Sequence, residues 1–491
     1  MGNDAHAIAE LFRTVSLGAP EHAVGFVLWR VVNRYRVRPV NHVEFAGRDV
    51  YRGGFRISPP GASAMAAAVV RRTDTGFVLQ VEVSYEDSML DAEEAILAAL
   101  NEAGVAATEE VLKRFDTDGQ PIRLGPMKLT SMGKVRKQYQ TPYGVAAIER
   151  HVYQGPKGGT THCPLDQDAR IVVSSTPRFA RLIAHKYAEF GATRVLHDLA
   201  ECHGRRVAKA FVQDVADAVA AVALAKEEGW EYELPEFADP VATVTVGLDG
   251  TCMLMGKENW REAMVGTLGF YNAAGERLHT VYAAATPEYG KLTFFERLDR
   301  EVDRAKAAWP GARYVGLADG AKDNWTYLDA VTEVQVVDFY HVTQYLWPAA
   351  GALFGPRGGE LVAWAEGWRH RLRHEPGASA ALIADLEARG AATGKPRPPE
   401  AVEKALTYLR NQIKGGRLNY AELAAANIPI GSGVTEAACK VLVKQRLCGS
   451  GMRWKERGAA AVLSVRCLTY TTGRWAQFWS RIDRSGFPVA A

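Results

Sequence analysis

The stretch Val241–Cys252, VATVTVGLDGTC, decides the fold class of this chain. Its β-branched residues alternate with small ones, which predicts a buried strand that ends on Asp249, followed by Gly250. A carboxylate at the end of an apolar strand lies at the rim of a sheet, where it can reach solvent and a metal ion. An Asp-Gly pair is also typical of a turn, and on this stretch alone the turn is the stronger interpretation.

The same arrangement recurs at Arg313–Gly320, RYVGLADG, where a short apolar strand ends on Asp319. In both copies a glycine follows the aspartate and lets the backbone come close to a ligand. Two adjacent strands of this kind would place the carboxylates a few Å apart, where they repel each other unless cations lie between them. Oxygen ligands of this type suit Mg²⁺ or Mn²⁺.

The composition is that of an ordinary globular protein large enough for several domains. The 491 residues are 47% hydrophobic and 23% charged, and the net charge is only +3, so any affinity for nucleic acid must come from local patches. Six cysteines without CxxC pairs favour reduced thiols, and His162, Cys163, Cys202 and His203 are better interpreted as ordinary residues than as zinc ligands. No apolar run of about eighteen residues occurs, so we expect a cytoplasmic protein without membrane contact.

The first part of the chain divides into an extension and an α+β domain. Residues 1–76 have one helix-like stretch, Ala19–Tyr35, and then lose all periodicity, so they are an N-terminal extension of unclear role. Residues 77–175 read as an α+β domain with a strand from Phe77, a helix at Leu90–Ala103 and a hairpin at Lys137–Gln154.

Residues 176–240 are predicted to be helical, with a helix-turn-helix-like arrangement and an acidic, proline-containing linker at 231–240. Breaks at Gly191 and Gly204 separate three helices. The first turns of the last helix would present three basic residues to DNA, although a solvated surface is an equally good interpretation: Arg205, Arg206 and Lys209.

Residues 241–342 predict three strands in succession and then alternating helix and strand, the order of an RNase H-like fold. In that fold the acids lie on the first and fourth strands, where Asp249 and Asp319 occur. Residues 343–425 are helical in pattern and form an insertion before the last part of the core, 426–491. The expected fold class is therefore α/β, with an RNase H-like catalytic core of a mixed sheet and flanking helices, a helical insertion, and a mainly helical DNA-binding region before it.

A third acid follows the insertion. In Ile428–Trp454, Thr435 is predicted to cap a helix and Glu436 to lie in its first turn. The following tract is rich in lysine and arginine and contains one tryptophan, which favours binding to a phosphate backbone. The predicted DNA-binding residues of this tract are Lys440, Lys444, Arg446, Arg453, Trp454 and Lys455.

Several motifs closely resemble the bacterial insertion-sequence transposases of the Kra family, which are DDE enzymes with an RNase H-like core. The resemblance runs from about Phe77 to the C-terminus and is carried by GLDGTC, NWREAMVGT, TPEYGK, ADGAKDNW, VVDFYH, IPIGSGVTEAACK and LCGSGMRWKERGAA. It implies a catalytic triad of Asp249, Asp319 and Glu436 that holds two Mg²⁺ ions, with Mn²⁺ as a substitute. His341, in the acid-x-x-His element that begins at Asp338, either orients the scissile phosphate or a metal-ligating acid, or caps a helix.

The resemblance further implies metal-dependent cleavage and strand transfer at the terminal inverted repeats of an insertion sequence. The partners would be double-stranded DNA and a second copy of the chain, in a dimer or larger synaptic complex at the nucleoid of a bacterial cytoplasm. Two alternatives are a structure-selective RNase H-like nuclease and a catalytically silent, transposase-derived DNA-binding protein. The long helical regions disfavour the first, and the presence of all three acids disfavours the second. Trp325, Trp475 and Trp479 are candidates for stacking on a splayed base, although the spacing of Trp475 and Trp479 favours helix packing.

Overall fold

The computed structural model describes residues 67–155, 158–226, 229–319, 322–355, 358–394 and 396–485. These residues belong to one compact unit with a mixed α/β architecture. The helix-like stretch predicted at Ala19–Tyr35 lies outside the described residues. Within the described ranges, no helix has both the length and the apolar character that crossing a bilayer requires.

The N-terminal region contains two antiparallel sheets and one long helix. Its elements are β1 (Ala67–Arg72), β2 (Phe77–Val81), α1 (Met89–Lys113), β3 (Ile122–Leu124), β4 (Met127–Gln140), β5 (Val145–Gly155), β6 (Gly158–His162) and α2 (Pro164–Asp168). The first strand lies within residues 1–76 and pairs with β2, so folded structure begins earlier than predicted. The long helix continues past the predicted end at Ala103, and Gly104 within it leaves room for the ring of Tyr143.

Three helices follow: α3 (Pro177–Glu189), α4 (Ala192–His203) and α5 (Lys209–Lys226). The predicted breaks are confirmed, since Gly191 precedes α4 and Gly204 ends it in a left-handed conformation with φ of 59°. The last helix begins at Lys209, so Arg205 and Arg206 lie in the connection before it rather than in its first turns.

The central sheet has five strands in the order β9–β8–β7–β10–β11. The first three strands form an antiparallel meander, whereas β10 pairs parallel with β7, and β11 parallel with β10. The elements are β7 (Thr243–Met255), β8 (Asn259–Tyr271), β9 (Arg277–Ala285), α6 (Leu292–Ala308), β10 (Arg313–Ala318), α7 (Lys322–Val331) and β11 (Val334–Val337). This succession agrees with the one predicted from the sequence.

The predicted helical insertion packs on the central sheet and shares its hydrophobic core. Leu328 beneath the sheet and Leu382, Leu409 and Tyr420 of the insertion belong to one buried cluster. The helices here are α8 (Phe339–Gln344), α9 (Leu346–Phe354), α10 (Gly359–His374), α11 (Ala378–Ala392), α12 (Glu400–Lys414) and α13 (Tyr420–Ala425). The two ends of the insertion lie side by side, because the Phe339 amide donates to the Ile430 carbonyl at 3.0 Å.

The C-terminal helices cover the other face of the sheet and join it to α3–α5. They are α14 (Gly433–Ala438), a π-helix (Cys439–Lys444), α15 (Gln445–Leu447), α16 (Glu456–Tyr470) and α17 (Arg474–Ser485). Leu442 and Leu463 pack on Met253 of the sheet. Phe478 and Trp479 pack in a cluster with α3 and α5, with the Trp475 ring 5.8 Å from that of Trp479, so the packing interpretation of these tryptophans is confirmed.

Candidate active site

Asp249 and Asp319 lie side by side at one edge of the parallel part of the central sheet. The last pair of the parallel register joins Gly247 of β7 to Leu317 of β10, and each aspartate lies two residues further along its strand. Residues at equal register on neighbouring strands point to the same side of a sheet, and such strands are about 4.8 Å apart. The two carboxylates therefore face the same space, as expected for aspartates on adjacent strands.

The strand that carries Asp249 does not end there. β7 continues to Met255 and is paired with β8 throughout. Thr251 and Met253 lie on the same side as Asp249 and are buried against the C-terminal helices, which holds the chain in extended form. The prediction that this strand ends on Asp249 is therefore wrong, whereas β10 does end one residue before Asp319.

Glu436 lines the same cleft as Asp249, because α14 packs closely on the sheet. The hydroxyls of Thr435 and Thr267 are 2.8 Å apart and buried. A Cβ at Gly247 would lie 2.1 Å from the Thr435 hydroxyl oxygen, so only glycine admits the helix at this distance. Thr435 was predicted to cap the helix, which is wrong, because it lies within α14 and anchors it while Glu436 stays exposed.

Asp338 connects the end of β11 to the loop before Glu436. Its side chain is buried and caps α8 by accepting from the His341 amide at 2.5 Å. Its other oxygen accepts from the Ser432 amide at 2.5 Å and the Ser432 hydroxyl at 2.9 Å. The same hydroxyl lies 3.1 Å from the Glu436 carboxylate. Asp338 is therefore a positioning residue that joins both ends of the insertion next to the third acid.

The three acids interact electrostatically. Burial raises the pKa of the Asp249 carboxyl, and the negative charges of Asp319 and Glu436 raise it further. Hydrogen bonds from the Gly250 amide at 2.7 Å and the Cys439 thiol at 3.5 Å oppose that rise. Burial, followed by the nearby Asp249 charge, raises the pKa of Cys439, so this thiol stays neutral and donates. An added cation would relieve the repulsion among the acids.

An open cleft beside these acids has a positively charged rim. Asp249, Glu436 and Cys439 line it together with Lys440 and Lys444, whose side chains are exposed. The arrangement offers carboxylates for a divalent cation next to ammonium groups for a phosphate.

A larger cleft elsewhere is a poor phosphate site. It lies against residues 231–240, and its lining includes Glu231, Glu233, Glu236 and Asp239. Its four acids outnumber its two arginines, Arg304 and Arg481, so the cleft disfavours a polyanion, and the smaller cleft at Asp249 is the better candidate for chemistry on nucleic acid.

The insertion contacts the second acid directly. The Tyr408 hydroxyl of α12 donates to the Asp319 carbonyl at 2.9 Å, and its ring stacks on Tyr345 with centroids 4.3 Å apart. The His341 ring lies 6.0 Å from the Tyr408 ring and lines a separate cleft with Tyr345 and Lys404. His341 is therefore on the insertion side of the acids, and it is Asp338, not His341, that caps the helix.

Two basic residues predicted to bind DNA are instead buried, and their guanidinium groups link separate segments of the chain. Arg205 is buried, and its guanidinium donates to the carbonyls of Thr141 and Gly144 at 3.0 and 3.1 Å and to the Gln140 side chain at 2.7 Å. It thus ties the connection between α4 and α5 to the β4–β5 hairpin. Burial lowers its pKa.

Arg446 is buried as well. Its guanidinium donates to the Tyr187 carbonyl at 3.1 Å and lies over the rings of Tyr187 and Trp454. The Trp454 indole donates to the Leu447 carbonyl at 2.8 Å and is partly buried, so its polar group is already engaged. Trp325, considered for base stacking, is buried beneath Arg417 and does not reach the surface.

The remaining predicted DNA-binding residues are exposed and keep that assignment as a prediction: Arg206, Lys209, Lys440, Lys444, Arg453 and Lys455. Lys440 and Lys444 lie at the acid cleft, whereas Arg206 and Lys209 lie on the helical region.

Sequence reasoning missed the residues that position the acids: Gly247, Cys439, Ser432 and Tyr408. Gly247 had a detectable signal, because a glycine inside a β-branched strand marks a close approach of another part of the chain. Tyr408 lies on one of many amphipathic helices and carries no local signal.

Comparisons with known proteins add no family assignment: no family model matches the chain, and no curated protein matches it significantly. Within the described ranges, no group of three or more His, Cys, Asp or Glu side chains is already gathered around one metal position. The chemical interpretation of the site therefore depends on its geometry and electrostatics.

Proposed function

We propose that the chain is a DDE transposase with an RNase H-like core. The order β9–β8–β7–β10–β11, with an antiparallel meander followed by two parallel strands, supports that core. The acids follow the same plan, since Asp249 is on the first strand of the sheet in chain order and Asp319 follows the fourth.

One observation carries the proposal: acids far apart in the sequence meet at one edge of the sheet. Asp249 and Asp319 each lie two residues beyond Gly247 and Leu317, the last paired residues of β7 and β10, and the contact of Thr435 with Gly247 holds the helix that carries Glu436 against β7. The charges of both Asp319 and Glu436 act on the Asp249 carboxyl. The helical insertion leaves and returns beside this site, so it does not separate the third acid from the first two.

The donor set fits Mg²⁺ in its chemistry. All three side chains are carboxylates, the ligands that Mg²⁺ prefers, and their mutual repulsion favours a cation between them. Mn²⁺ takes the same ligands and is expected to substitute. By the resemblance to DDE enzymes, we propose that the three carboxylates would hold two ions when DNA is bound.

The chain's own residues bind and orient the DNA. When bound, Mg²⁺ would lower the pKa of an attacking water and stabilise the leaving oxygen at the scissile phosphate. Lys440 and Lys444 line the same cleft as Asp249 and Glu436 and would contact DNA phosphates there. Asp338 holds the loop that carries Ser432 and so limits the positions of the Glu436 carboxylate. The substrates would be the terminal inverted repeats and target DNA, held by a dimer or larger complex.

The test is strand cleavage and joining on oligonucleotides that carry the ends of the encoding element, with Mg²⁺. The variants are Asp249→Asn, Asp319→Asn and Glu436→Gln, which remove one charge with little change in volume. We expect each to reduce cleavage at least about 1,000-fold while DNA binding persists, because the two-ion arrangement loses a ligand. The matched control is Asp303→Asn, which alters an exposed acid of α6.

The outcomes separate the alternatives. Cleavage at the ends followed by joining supports transposition, whereas cleavage of branched DNA without joining supports a structure-selective nuclease. Binding without cleavage by the wild-type chain would support a silent DNA-binding protein. Cleavage that survives Glu436→Gln would show that the third acid is another residue.

A further inference from the structure

A β-hairpin in the N-terminal region combines a basic face with an exposed apolar tip. It consists of β3 and the start of β4, joined by the two-residue turn Gly125-Pro126. Gly125 has φ of 58°, which suits a tight hairpin turn with glycine at its first central position. The cleft at Asp249 is lined by other residues, so the proposed chemistry makes no use of this hairpin.

The strand pairing divides the side chains of the hairpin into two faces. Arg123 lies directly opposite Lys128. Successive side chains of a strand point to opposite faces, so the residues on either side of this cationic pair project from the other face. That other face carries two apolar pairs, Ile122 with Leu129 and Leu124 with Met127.

The apolar face is anchored at its base and exposed at its tip. Leu129 is buried and fixes the base of the hairpin in the N-terminal region. At the tip, the Leu124 and Met127 side chains are 41% and 55% exposed, and Pro126 between them is exposed as well. Leu, Met and Pro are among the side chains that proteins insert between DNA base pairs.

The cationic pair lies in a part of the chain without acidic residues. Arg123 and Lys128 are both exposed, and residues 119–148 contain five lysines and arginines but no Asp or Glu. Like charges directly opposite each other on paired strands are destabilising. A polyanion bound over this face would relieve that repulsion, because each cation would contact a phosphate.

Further along β4, three more basic side chains are exposed: Lys134, Arg136 and Lys137. Lys134 lies 3.9 Å from Asp116, and Arg136 is paired in register with Glu149, so the charges of these two residues are partly balanced. Extended chain from the hairpin to Lys137 spans roughly 30 Å, close to one turn of duplex DNA at about 34 Å. The dimensions of the strand therefore suit a duplex.

We propose that the β3–β4 hairpin is a DNA-bending arm that enters the minor groove of a bound duplex. Arg123 and Lys128 would contact phosphates of one strand beside the groove. The tip would press between two base pairs and kink the duplex. This inference rests on the proposed function, because the duplex is the substrate of that function, and it adds a DNA-contacting element separate from the acid cleft.

The first measurement is binding of the full chain to a short fluorescent duplex that carries an end of the encoding element, in EDTA so that no cleavage occurs. Arg123→Gln combined with Lys128→Gln is expected to weaken binding about tenfold or more. The slope of log affinity against log salt concentration should decrease by about 2, because each phosphate contact contributes about 1. The matched control combines Arg277→Gln and Arg313→Gln, two exposed cations at the edge of the central sheet opposite the acids.

The second measurement is the bend of the duplex, followed by energy transfer between dyes at its two ends. The wild-type chain is expected to bend it by at least about 20°. Leu124→Ser combined with Met127→Ser should leave the duplex straighter and keep the wild-type salt slope, because no cation is lost. The altered side chains of both double variants are exposed, so thermal unfolding close to that of wild type would show that the chain is still folded.

The outcomes separate this inference from the proposed function. Wild-type affinity and salt slope in the arginine–lysine variant would overturn the inference, and so would an unbent duplex in the wild-type complex. Lost binding to vesicles of phosphatidylcholine and phosphatidylserine, with unchanged DNA binding, would overturn it in favour of a lipid surface. A chain that binds and bends DNA through the hairpin but never cleaves it would support the arm and contradict the transposase.

Discussion

The acids of the candidate site are held from two sides by different kinds of contact. On the core side, α14 touches the sheet by close packing at Gly247, Thr267 and Thr435. On the insertion side, the Tyr408 and Tyr420 hydroxyls donate to backbone carbonyls at 2.9 and 2.8 Å. Close packing does not tolerate an added methyl group, whereas a lost hydroxyl leaves the stacked rings in place. Substitutions on the core side should therefore have the larger effects.

Gly247→Ala is the most severe test of the core side. The new methyl group would lie 2.1 Å from the Thr435 hydroxyl oxygen and must push α14 away. We expect a loss of about 1–3 kcal/mol in the free energy of unfolding. Because Glu436 moves with the helix, cleavage should fall about 100-fold. Denaturant unfolding and the cleavage assay measure the two effects.

Gly191→Ala is the matched control, because a Cβ there meets nothing within 4 Å. Adding Thr435→Ala to Gly247→Ala removes the colliding hydroxyl and should restore part of the activity. Full cleavage by Gly247→Ala alone would refute the close-packing account of the core side.

Asp338→Asn tests the residue that connects the start of the insertion to the loop before Glu436. The amide retains only one oxygen, so either the His341 amide or the Ser432 amide faces a donor instead of an acceptor. We expect a loss of about 1–3 kcal/mol in the free energy of unfolding, and about tenfold slower cleavage because the loop before Glu436 shifts. Thermal unfolding and single-turnover cleavage are the measurements. Unchanged cleavage at reduced stability would make Asp338 purely structural.

Tyr408→Phe tests the insertion side. It removes the hydrogen bond to the Asp319 carbonyl and keeps the stack on Tyr345. The expected loss is about 0.5–1.5 kcal/mol, with cleavage reduced about 2- to 10-fold. Tyr420→Phe is the comparison, because its hydroxyl donates to Val337 in β11 and not to an acid. Equal losses of cleavage in the two variants would mean that the insertion acts through general stability alone.

The pH dependence of stability should show the smallest effect. Burial and the neighbouring acids raise the pKa of Asp249, so the metal-free folded chain holds this proton to higher pH than the unfolded chain does. As pH rises through the window between the two pKa values, wild type loses stability relative to Asp249→Asn, and above that window the difference stays constant. Thermal unfolding with a chelator measures this difference. Parallel curves for the two proteins would show that the carboxyl is unperturbed.

The sequence predicts the sheet elements well because their patterns are local. The strand at 313–318 and the helix at 292–308 lie where periodicity places them. The end of β7 is missed because Thr251 and Met253 stay extended through burial against distant helices, which no local pattern shows. The RNase H-like assignment of this sheet remains a proposal.

The basic residues are harder to predict, because charge alone does not reveal burial. Arg205 and Arg206 are adjacent in sequence, yet the first is buried among carbonyl oxygens and the second is exposed. A buried arginine needs acceptors from distant segments, here the turn at 140–144. Only the tertiary structure distinguishes a buried arginine that links two segments from an exposed arginine that is free to contact DNA.

Binding of Mn²⁺ to the full chain, followed by electron paramagnetic resonance, tests most directly whether the three acids form one metal site. The wild-type chain should bind the ion, and Asp249→Asn, Asp319→Asn and Glu436→Gln should each weaken binding about tenfold or more, while Asp303→Asn should not. Wild-type affinity in Glu436→Gln, with losses in the two aspartate variants, would contradict the assignment of the third acid. Equal affinity in all variants would contradict the site itself.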